Sequence, residues 1–370
     1  MRNVDVSLGK RSYRILVGAG ALSCLEGECR RLRLAGRRCA IITDDNVRPL
    51  YASLVEAHLK AAGCESLVIS IPAGESSKSL KYVNSCYQQL AAFRFERQSF
   101  IVALGGGVVG DLAGFVAATY LRGVPLVQIP TSLLAQVDSS VGGKVGVNLP
   151  AGKNLVGAFH QPRLVICDLE TLKTLPSREL RAGMAEVIKY GAIYDAALFR
   201  RLERKLGRLL ELDLELWEPL VAQCCAIKAD VVAQDETERG LRAILNFGHT
   251  VGHAIEAVSG YGRYLHGEAI AIGMVIEAIL SMQYVGFSQS EAQRLSNMLA
   301  AVGLPTSYPL NEQRWKKLLH AMQLDKKVSK GQICFVLLPA LGRAVWGQAV
   351  VPEHIREAWL SAGDILERTQ

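Results

Sequence analysis

The sequence predicts an α/β protein in two parts, a mainly parallel-sheet, Rossmann-like domain over residues 1–175 and a mostly α-helical domain over residues 176–370. Three observations predict this class. Short apolar runs alternate with helix-like segments in the first half, a glycine-rich turn follows one of those runs, and long helical periodicity dominates after Pro176. We therefore expect a main sheet in the first domain and packed helices in the second.

The first domain is predicted from strand-like segments taken in chain order. A hairpin is expected around Gly9 and Lys10, where two strand-like runs meet. Each of five later apolar runs is short enough for a buried strand and is separated from the next by helical sequence. These runs are Cys39–Thr43, Ser66–Ile71, Ser99–Leu104, Leu126–Ile129 and Leu164–Cys167.

The second domain is predicted from long segments with helical periodicity and few strand signals. The expected helices are Arg178–Tyr194, Leu220–Asp235, Ile244–Val258 and Ala269–Tyr284. A late pair of runs, Gln332–Leu338 and Ala344–Val350, predicts a small hairpin. The domain boundary is placed near Leu175–Ser177.

Composition narrows the class of protein. The chain has 370 residues, half of them hydrophobic, and a modest net charge of +7 without Lys/Arg runs among aromatics, which argues against nucleic-acid binding. Nine scattered cysteines without paired spacing predict neither a disulfide framework nor a cysteine zinc site, and favour a reducing cytoplasm. No uncharged stretch reaches spanning length, so we expect no membrane association.

A glycine-rich turn is the first candidate binding site. Gly105, Gly107 and Gly110 follow a predicted strand with GxGxxG spacing, which lets the backbone approach a pyrophosphate at a helix N-terminus. Two features differ from an ordinary Rossmann unit: the turn follows a middle strand rather than the first, and no acid lies about twenty residues beyond it to hold a ribose. Asp44 or Glu75 could supply that carboxylate. A tight turn with a packing glycine is the alternative, and an NAD-type cofactor is the prediction.

A histidine-rich segment, Asn246–Glu268, is the second candidate. It holds three of the seven histidines, and His249 and His253 are four residues apart, so that on a helix their rings share one face. An imidazole without a partner is costly among glycine, alanine and valine. Structural histidines bonded to backbone are the alternative. The acid that follows His266 in HGE favours a divalent cation such as Zn²⁺, held by histidine and carboxylate.

Charged residues supply further candidates. In the apolar segment Gly183–Ile193 only Glu186 and Lys189 are charged, and burial of such a pair costs several kcal/mol per ion before compensation, which favours metal or substrate contact over a surface ion pair. Residues 130–154 join paired glycines to lysines, a combination suited to phosphate, with Arg122 just upstream; a solvated loop is the alternative. The polar side chains of this stretch are Asp138, Lys144, Lys153 and Asn154. A polar cavity is predicted from Lys228, Glu238, Arg242 and Asn246.

Seven motifs in order resemble a known family, the 3-dehydroquinate synthases. They are GGGVVGDLAGFVAATYLRGV, PTSLLAQVDSSVGGK, GKNLVGAFHQP, GMAEVIKYG, DETERGLRAILNFGHTVGHAIE, HGEAIAIGM and DKK. The resemblance implies conversion of 3-deoxy-D-arabino-heptulosonate 7-phosphate to 3-dehydroquinate and phosphate in the shikimate route to aromatic amino acids. It further implies NAD, a divalent zinc or cobalt ion, and a cytoplasmic homodimer.

The resemblance also implies roles for individual residues. The metal ligands would be Glu186, His249 and His266, with His253 facing substrate instead, which differs from the expectation based on periodicity. The substrate and phosphate contacts would be Asp138, Lys144, Asn154, Lys189, Lys228, Glu238, Arg242, Asn246, His253, one of Lys326 and Lys327, and Arg122 from the partner subunit. The cofactor contacts would be Asp44, Asn46, Glu75, Lys78, Gly106, Gly107, Val108, Asp111, Thr131, Ser132, Lys153 and Thr174.

Three other functions fit parts of the pattern. A related sugar-phosphate cyclase would make an inosose or valiolone-type ring, but Arg242 suits a substrate carboxylate. A metal-dependent alcohol dehydrogenase would need NAD and metal without a phosphate cluster. A non-catalytic NAD-sensing protein would not need the polar groups around the histidines.

Overall fold

The computed structural model describes residues 1–260, 262–324, 328–329 and 332–362. Two compact units are present. The first comprises Met1–Pro176 and Leu212–Thr237, and the second comprises Ser177–Glu211 and Glu238–Gln370. The predicted candidates Lys326 and Lys327 lie outside the described residues.

The first unit is built on a seven-stranded sheet with the order β1-β2-β9-β6-β5-β3-β4. β1 pairs antiparallel with β2, and the other neighbouring strands are parallel. The strands are β1 (Arg2–Val6), β2 (Tyr13–Gly18), β3 (Arg38–Asp44), β4 (Glu65–Ile71), β5 (Phe100–Gly105), β6 (Leu126–Pro130) and β9 (Leu164–Asp168). A separate antiparallel hairpin joins β7 (Lys144–Leu149) to β8 (Gly152–Phe159). The predicted opening hairpin and all five predicted strands are confirmed.

Helices cover both faces of this sheet. They are α1 (Leu25–Arg31), α2 (Ser53–Ala61), α3 (Leu80–Ala92), α4 (Gly107–Thr119) and α7 (Leu214–Gln234). Successive strand residues point to opposite faces, so Ile41 packs in the core cluster with α1 and α2, whereas Ile42 packs in the cluster with α3 and α4. This double burial explains why the strand sequences are apolar throughout rather than alternating.

The second unit is mostly helical. Its helices are α5 (Ser177–Ile193), α6 (Ala196–Leu210), α8 (His249–Ser259), α9 (His266–Val285), α10 (Gln289–Val302), α11 (Glu312–Leu324) and α12 (Pro352–Ser361). The predicted late hairpin is confirmed as β11 (Gln332–Ala340) and β12 (Arg343–Val350), to which β10 (Val328–Ser329) adds a short third strand.

Two sequence-based expectations need correction, and one alternative is excluded. The segment Leu212–Thr237 groups with the first unit, because α7 packs against β1 and β2, so a single cut after residue 175 does not describe the division. Ile244–Val258 is not one helix: a 3₁₀ turn, Leu241–Asn246, ends before α8. Gly248 lies between them with a φ of +81°, which interrupts a right-handed helix. The solvated loop, which was the alternative to a phosphate site for residues 130–154, does not describe their late part, which enters the β7–β8 hairpin.

One described helix, α9, is long and apolar enough to cross a membrane by length and composition. However, 67% of its apolar window is buried inside the protein. Its burial is that of the core helix of a globular domain.

Candidate functional site

Three helices of the second unit bring one acid and two histidines together. Glu186 lies on α5 and is fully buried, while His249 and His266 are the first residues of α8 and α9. The Nε2 atoms of both histidines lie 3.4 Å from the same oxygen, Glu186 Oε1. One ligand atom from each of these three side chains lies within 4.8 Å of the others, which is close enough to share a metal ion.

Glycine contacts fix the ends of these helices against one another. A Cβ on Gly267, the second residue of α9, would lie 1.8 Å from the carbonyl oxygen of Ala182 on α5. A Cβ on Gly273 would lie 2.0 Å from the carbonyl oxygen of Gly248, immediately before His249. Only glycine allows such backbone approaches, so these two positions set the spacing between the ligand-bearing turns.

The charge pattern keeps an anion at the centre of the cluster. Burial alone would raise the pKa of the Glu186 carboxyl, but the ammonium of Lys189, one turn along α5, and the two histidines hold that pKa well below its ordinary value. Burial lowers the pKa of His249 to about 3, so this ring is neutral at neutral pH. Burial also disfavours charge on His266, yet the carboxylates of Glu186 and Glu256 beside it raise its pKa to about 10. Binding a cation would therefore displace a proton from His266.

The donor set fits a divalent metal. Neither oxygen of the buried Glu186 carboxylate has a hydrogen bond of ordinary geometry among the described residues, although ion-pair contacts reach it. Each histidine presents Nε2 to the centre, and the Nδ1 of His249 contacts the Phe247 carbonyl at 3.1 Å. Two imidazoles and one carboxylate form a ligand set that Zn²⁺ commonly uses.

His253 lies one turn beyond His249 and is more exposed. Its ring centroid is 5.4 Å from that of His249, but its donor atoms group with Glu256 and His266 rather than with Glu186. Shared helical spacing therefore does not put His253 in the same group of candidate ligands as Glu186 and His249. The role of His253 toward substrate stays a prediction.

The polar residues that precede α8 cluster in the same unit. Arg242 is 1% exposed on the 3₁₀ turn, and Asn246 donates from Nδ2 to Glu238 Oε1 at 3.0 Å. Glu238 itself has a φ of +58°, an uncommon backbone conformation for a residue other than glycine. These residues lie in the stretch that leads directly into His249.

In the first unit, the predicted cofactor contacts gather at one edge of the sheet. They follow the carboxyl ends of five adjacent parallel strands: β3, β4, β5, β6 and β9. Ligands of open α/β sheets bind at this edge. Asp44 ends β3, Glu75 and Lys78 follow β4, residues 106–111 link β5 to α4, Thr131 and Ser132 follow β6, and Thr174 ends the 3₁₀ helix after β9.

Local bonds order this edge. The Asp44 carboxylate accepts the backbone N–H of Asn46 at 2.9 Å, and Glu75 accepts from Asn148 Nδ2 at 2.7 Å. Lys78 is buried and forms an ion pair with Asp111 on α4, which partly offsets the rise that burial causes in the pKa of Asp111. The glycine turn leaves the N-terminus of α4 open to a phosphate, as Gly106 and Gly107 carry no side chain.

The other predicted polar residues of the first unit lie at the turn Ala135–Ser139 and in the β7–β8 hairpin. Lys228 on α7 lies 2.8 Å from Asp138 Oδ1 and donates to the Asp138 carbonyl at 2.6 Å. Lys153 lies 3.9 Å from Glu75, and the backbone N–H of Asn154 donates to Asn148. Lys144 begins β7 and is exposed. Val108 lies in the first turn of α4.

Sequence reasoning missed Glu256 and Glu277, two buried acids of the second unit. Glu256 contacts His266 Nδ1 at 3.4 Å, and Glu277 Oε2 accepts the N–H of Gly248 at 2.7 Å. The signal was the one that identified Glu186, a carboxylate in an otherwise apolar helix.

Two family models match consecutive parts of the chain. The family model for the 3-dehydroquinate synthase N-terminal region matches residues 68–182, and the one for the C-terminal region matches residues 183–328. A 3-dehydroquinate synthase from Desulforamulus reducens is 51% identical over 345 residues, covering 93% of this chain and 95% of the relative.

Solved structures show the same architecture. The structure of 2-epi-5-epi-valiolone synthase from Streptomyces hygroscopicus, with NAD⁺ and Zn²⁺ bound, has a TM-score of 0.87 and 28% identity over 97% of this chain and 98% of that one. A 2-deoxy-scyllo-inosose synthase, complexed with carbaglucose-6-phosphate, NAD⁺ and Co²⁺, also has a TM-score of 0.87, with 26% identity over 96% of this chain and 98% of that one.

These similarities place the chain in the class of sugar-phosphate cyclases, which the α/β sheet unit and the acid–histidine cluster also fit. Within that class, the chain belongs to the 3-dehydroquinate synthase family. The predicted family and fold class are confirmed.

Proposed function

We propose that this protein converts 3-deoxy-D-arabino-heptulosonate 7-phosphate to 3-dehydroquinate and inorganic phosphate, with NAD and a Zn²⁺ or Co²⁺ ion. The observation that carries the proposal is the Glu186–His249–His266 cluster, in a chain 51% identical to a 3-dehydroquinate synthase over 95% of that relative. Bound NAD⁺ would accept a hydride from a substrate hydroxyl and return it later in the same turnover, while the cation would polarise that hydroxyl.

Glu186, His249 and His266 would hold the cation. Lys189 keeps the Glu186 carboxylate ionised in a buried position, and the Phe247 carbonyl orients His249 so that Nε2 faces the centre. His253, being more exposed, would face the substrate. This arrangement separates the residues that hold metal from one that handles substrate.

The edge of the sheet at the carboxyl ends of β3, β4, β5, β6 and β9 would hold NAD. Asp44 and Glu75 offer carboxylates for ribose hydroxyls, and the N-terminus of α4 offers backbone N–H groups for the pyrophosphate. The other predicted contacts at this edge are Asn46, Lys78, Gly106, Gly107, Val108, Asp111, Thr131, Ser132, Lys153 and Thr174.

The substrate's two anionic groups would be recognised by different residues. Lys144 and Asn154 of the β7–β8 hairpin suit the phosphate, and the buried guanidinium of Arg242 suits a carboxylate through paired N–H donors. Positioning phosphate beside the carbon that loses a proton lets a phosphate oxygen act as the base during elimination. Asp138, Lys228, Glu238 and Asn246 would complete the polar surroundings.

A cytoplasmic homodimer is part of the proposal. All nine cysteines are free, which suits a reducing compartment. Arg122 is exposed, has a φ of +67°, and makes no side-chain hydrogen bond with the described part of its own chain, as expected of a residue that acts in the partner's site. Mixing Arg122→Ala subunits with His249→Ala subunits should restore partial activity; no recovery in verified mixed dimers would contradict a shared site.

The decisive experiment is a phosphate-release assay with the heptulosonate phosphate, with and without chelator and NAD⁺. Release should require both cofactors, and NADH should not accumulate, because the hydride returns to the product. Glucose 6-phosphate, which lacks the carboxylate, serves as the matched substrate: turnover of this sugar alone would indicate an inosose-type cyclase. Net NADH formation from simple polyols would indicate a dehydrogenase instead.

A further inference from the structure

The two histidines of the cluster differ in what holds their second nitrogen. Both direct Nε2 to Glu186 Oε1 at 3.4 Å. The Nδ1 of His249 contacts a neutral main-chain acceptor, the Phe247 carbonyl, at 3.1 Å. The Nδ1 of His266 contacts a carboxylate, Glu256 Oε2, at 3.4 Å. The Nδ1 atom therefore contacts a neutral acceptor in His249 and a charged acceptor in His266.

The position of Glu256 needs a physical reason. The residue is 7% exposed on α8 and follows the buried residues Ala254 and Ile255. Burying a carboxylate costs several kcal/mol unless other groups compensate. It lies seven residues after His249, about two helical turns along the same face, so α8 carries both one ligand and the acid that contacts the other ligand.

His266 has more need of an orienting group than His249. Its side chain is 29% exposed, compared with 10% for His249. Both residues begin a helix, but only the ring of His249 contacts a main-chain carbonyl, that of Phe247 two residues earlier, among the described hydrogen bonds. The Glu256 carboxylate therefore restrains the ring of His266, as the Phe247 carbonyl restrains the ring of His249.

We propose that Glu256 is a positioning residue for the metal site: it accepts the Nδ1–H of His266 and so holds that ring with the Nε2 lone pair toward the cation. The inference rests on the metal centre of the proposed function. The carboxylate fixes the tautomer of His266 and increases the basicity of its Nε2, and such outer carboxylates contribute about 10- to 100-fold to metal affinity.

A competing assignment uses the same atoms. Donor atoms of His253, Glu256 and His266 also lie within 4.8 Å of one another, so Glu256 could be the ligand of a second, outer cation. The two assignments are exclusive for a protonated Nδ1, because a nitrogen that donates a hydrogen to Glu256 cannot also bind an ion. Only the positioning role predicts one ion per subunit and a weaker inner site when the carboxylate is removed.

The test compares wild type, Glu256→Gln, Glu256→Ala and the control Glu203→Gln, all full-length. Glu203 is a matched control because it is also an ion-paired acid of the second unit, bound to Arg294 on α10. Three quantities are measured: Zn²⁺ affinity by competition with a chromophoric chelator, ions bound per subunit, and the visible spectrum of the Co²⁺-loaded protein. The unfolding midpoint of each metal-free protein reports any general structural loss.

The positioning role predicts one ion per subunit throughout, affinity lowered about 10- to 100-fold in Glu256→Ala and less in Glu256→Gln, and a changed Co²⁺ spectrum in both. Glu203→Gln should match wild type. A lowered unfolding midpoint with unchanged affinity and spectrum overturns the proposal, as does a second wild-type ion that Glu256→Gln loses while its tight site is unaffected. If wild type binds no metal, or Glu186→Ala binds it normally, the proposed metal centre itself fails.

Discussion

Each unit of the molecule contains a buried lysine beside an acid, and the two pairs are built differently. Lys189 and Glu186 are three residues apart on α5, and both are almost wholly buried. Lys228 and Asp138 are 90 residues apart, on α7 and on the turn Ala135–Ser139, and the Asp138 side chain is 25% exposed. The first pair could be inferred from spacing, whereas the second exists only because the fold brings α7 to that turn.

The surroundings of the two acids also differ. Glu186 lies beside two imidazoles as well as the Lys189 ammonium, and a carboxylate with two imidazoles is a ligand set that suits a metal ion. Asp138 shares its lysine with its own main-chain carbonyl, which ties the turn to α7. We therefore expect the first pair to govern metal content and the second to govern substrate handling and the local structure of the turn.

The largest expected effect is a difference in zinc content between variants of the Glu186 cluster and variants of Asp138. Glu186→Ala and His249→Ala each remove a ligand, so both should lose bound zinc and more than about 100-fold in phosphate release. Asp138→Ala should keep zinc and still lose turnover. Metal analysis of the purified variants beside the activity assay checks this.

His253→Ala is the control for the metal assignment. It should keep zinc but turn over slowly, because its ring lies beside the cluster without reaching Glu186. Zinc loss from His253→Ala equal to that from His249→Ala would contradict the assignment, as would full zinc loss from Asp138→Ala.

The next effect compares the lysines themselves. In metal-free protein, Lys189→Met leaves Glu186 buried without its cation and should lower the free energy of unfolding by about 3–5 kcal/mol. Saturating zinc should reduce this deficit relative to wild type, because the ion supplies the missing positive charge. Chemical denaturation with and without zinc measures both quantities.

Lys228→Met is the matched variant in the first unit. Its deficit should be about 1–3 kcal/mol, since Asp138 retains solvent access, and zinc should not change it. If zinc restored the free energy of unfolding equally in Lys189→Met and Lys228→Met, the metal would not distinguish the two pairs.

Features that depend on residues close together in the sequence could be predicted, whereas features that depend on long-range contacts could not. The strand Cys39–Thr43 was predicted within one residue at each end, because a short apolar run buried on both faces is a local signal. The Glu186–Lys189 pair was found for a similar reason. Nothing local indicates that α7 leaves the helical unit to pack on β1, or that Glu256 contacts His266.

Glycines account for one wrong expectation and for one alternative that the structure excludes. The helix predicted over Ile244–Val258 is interrupted at Gly248, whose left-handed conformation periodicity does not report. In the β7–β8 hairpin, for which a solvated loop was the alternative to a phosphate site, a Cβ on Gly146 would lie 2.6 Å from the Val156 carbonyl oxygen. Glycine is present there because the two strands approach closely. The sequence shows the glycine, but it does not show the close approach that requires it.

Glycine contacts at the metal cluster lead to a smaller effect on stability. Gly267→Ala places a Cβ against the backbone of α5, which cannot rotate away, and should destabilise the protein by about 1–3 kcal/mol while weakening zinc binding. Gly207→Ala on α6 is the control, because a Cβ there meets nothing within 4 Å. It should stabilise by about 0.5–1 kcal/mol. Thermal unfolding and zinc competition measure both variants, and similar behaviour of the two would contradict the role given to Gly267.

The smallest effect concerns a charge beside the cluster that takes no part in it. Glu268 in the first turn of α9 accepts the N–H of Leu265 at 2.8 Å and forms a paired contact with Arg178 on α5. Burial alone would raise the pKa of this carboxyl, but these bonds lower it below the ordinary value of 4.5. A depressed folded-state pKa means that the charge stabilises the protein above about pH 4.5 and that this contribution is lost as pH falls through the folded pKa.

Glu268→Gln should therefore lower the free energy of unfolding of metal-free protein by about 0.5–1 kcal/mol at pH 7, with the difference from wild type shrinking as the solution is acidified below pH 4.5. Urea unfolding of both proteins across this range measures the difference. Arg178→Gln is the control, because it removes the partner and should reduce the same pH-dependent contribution. A difference that grows on acidification would have the wrong sign for a lowered pKa, and would place the stabilising charge elsewhere in the second unit.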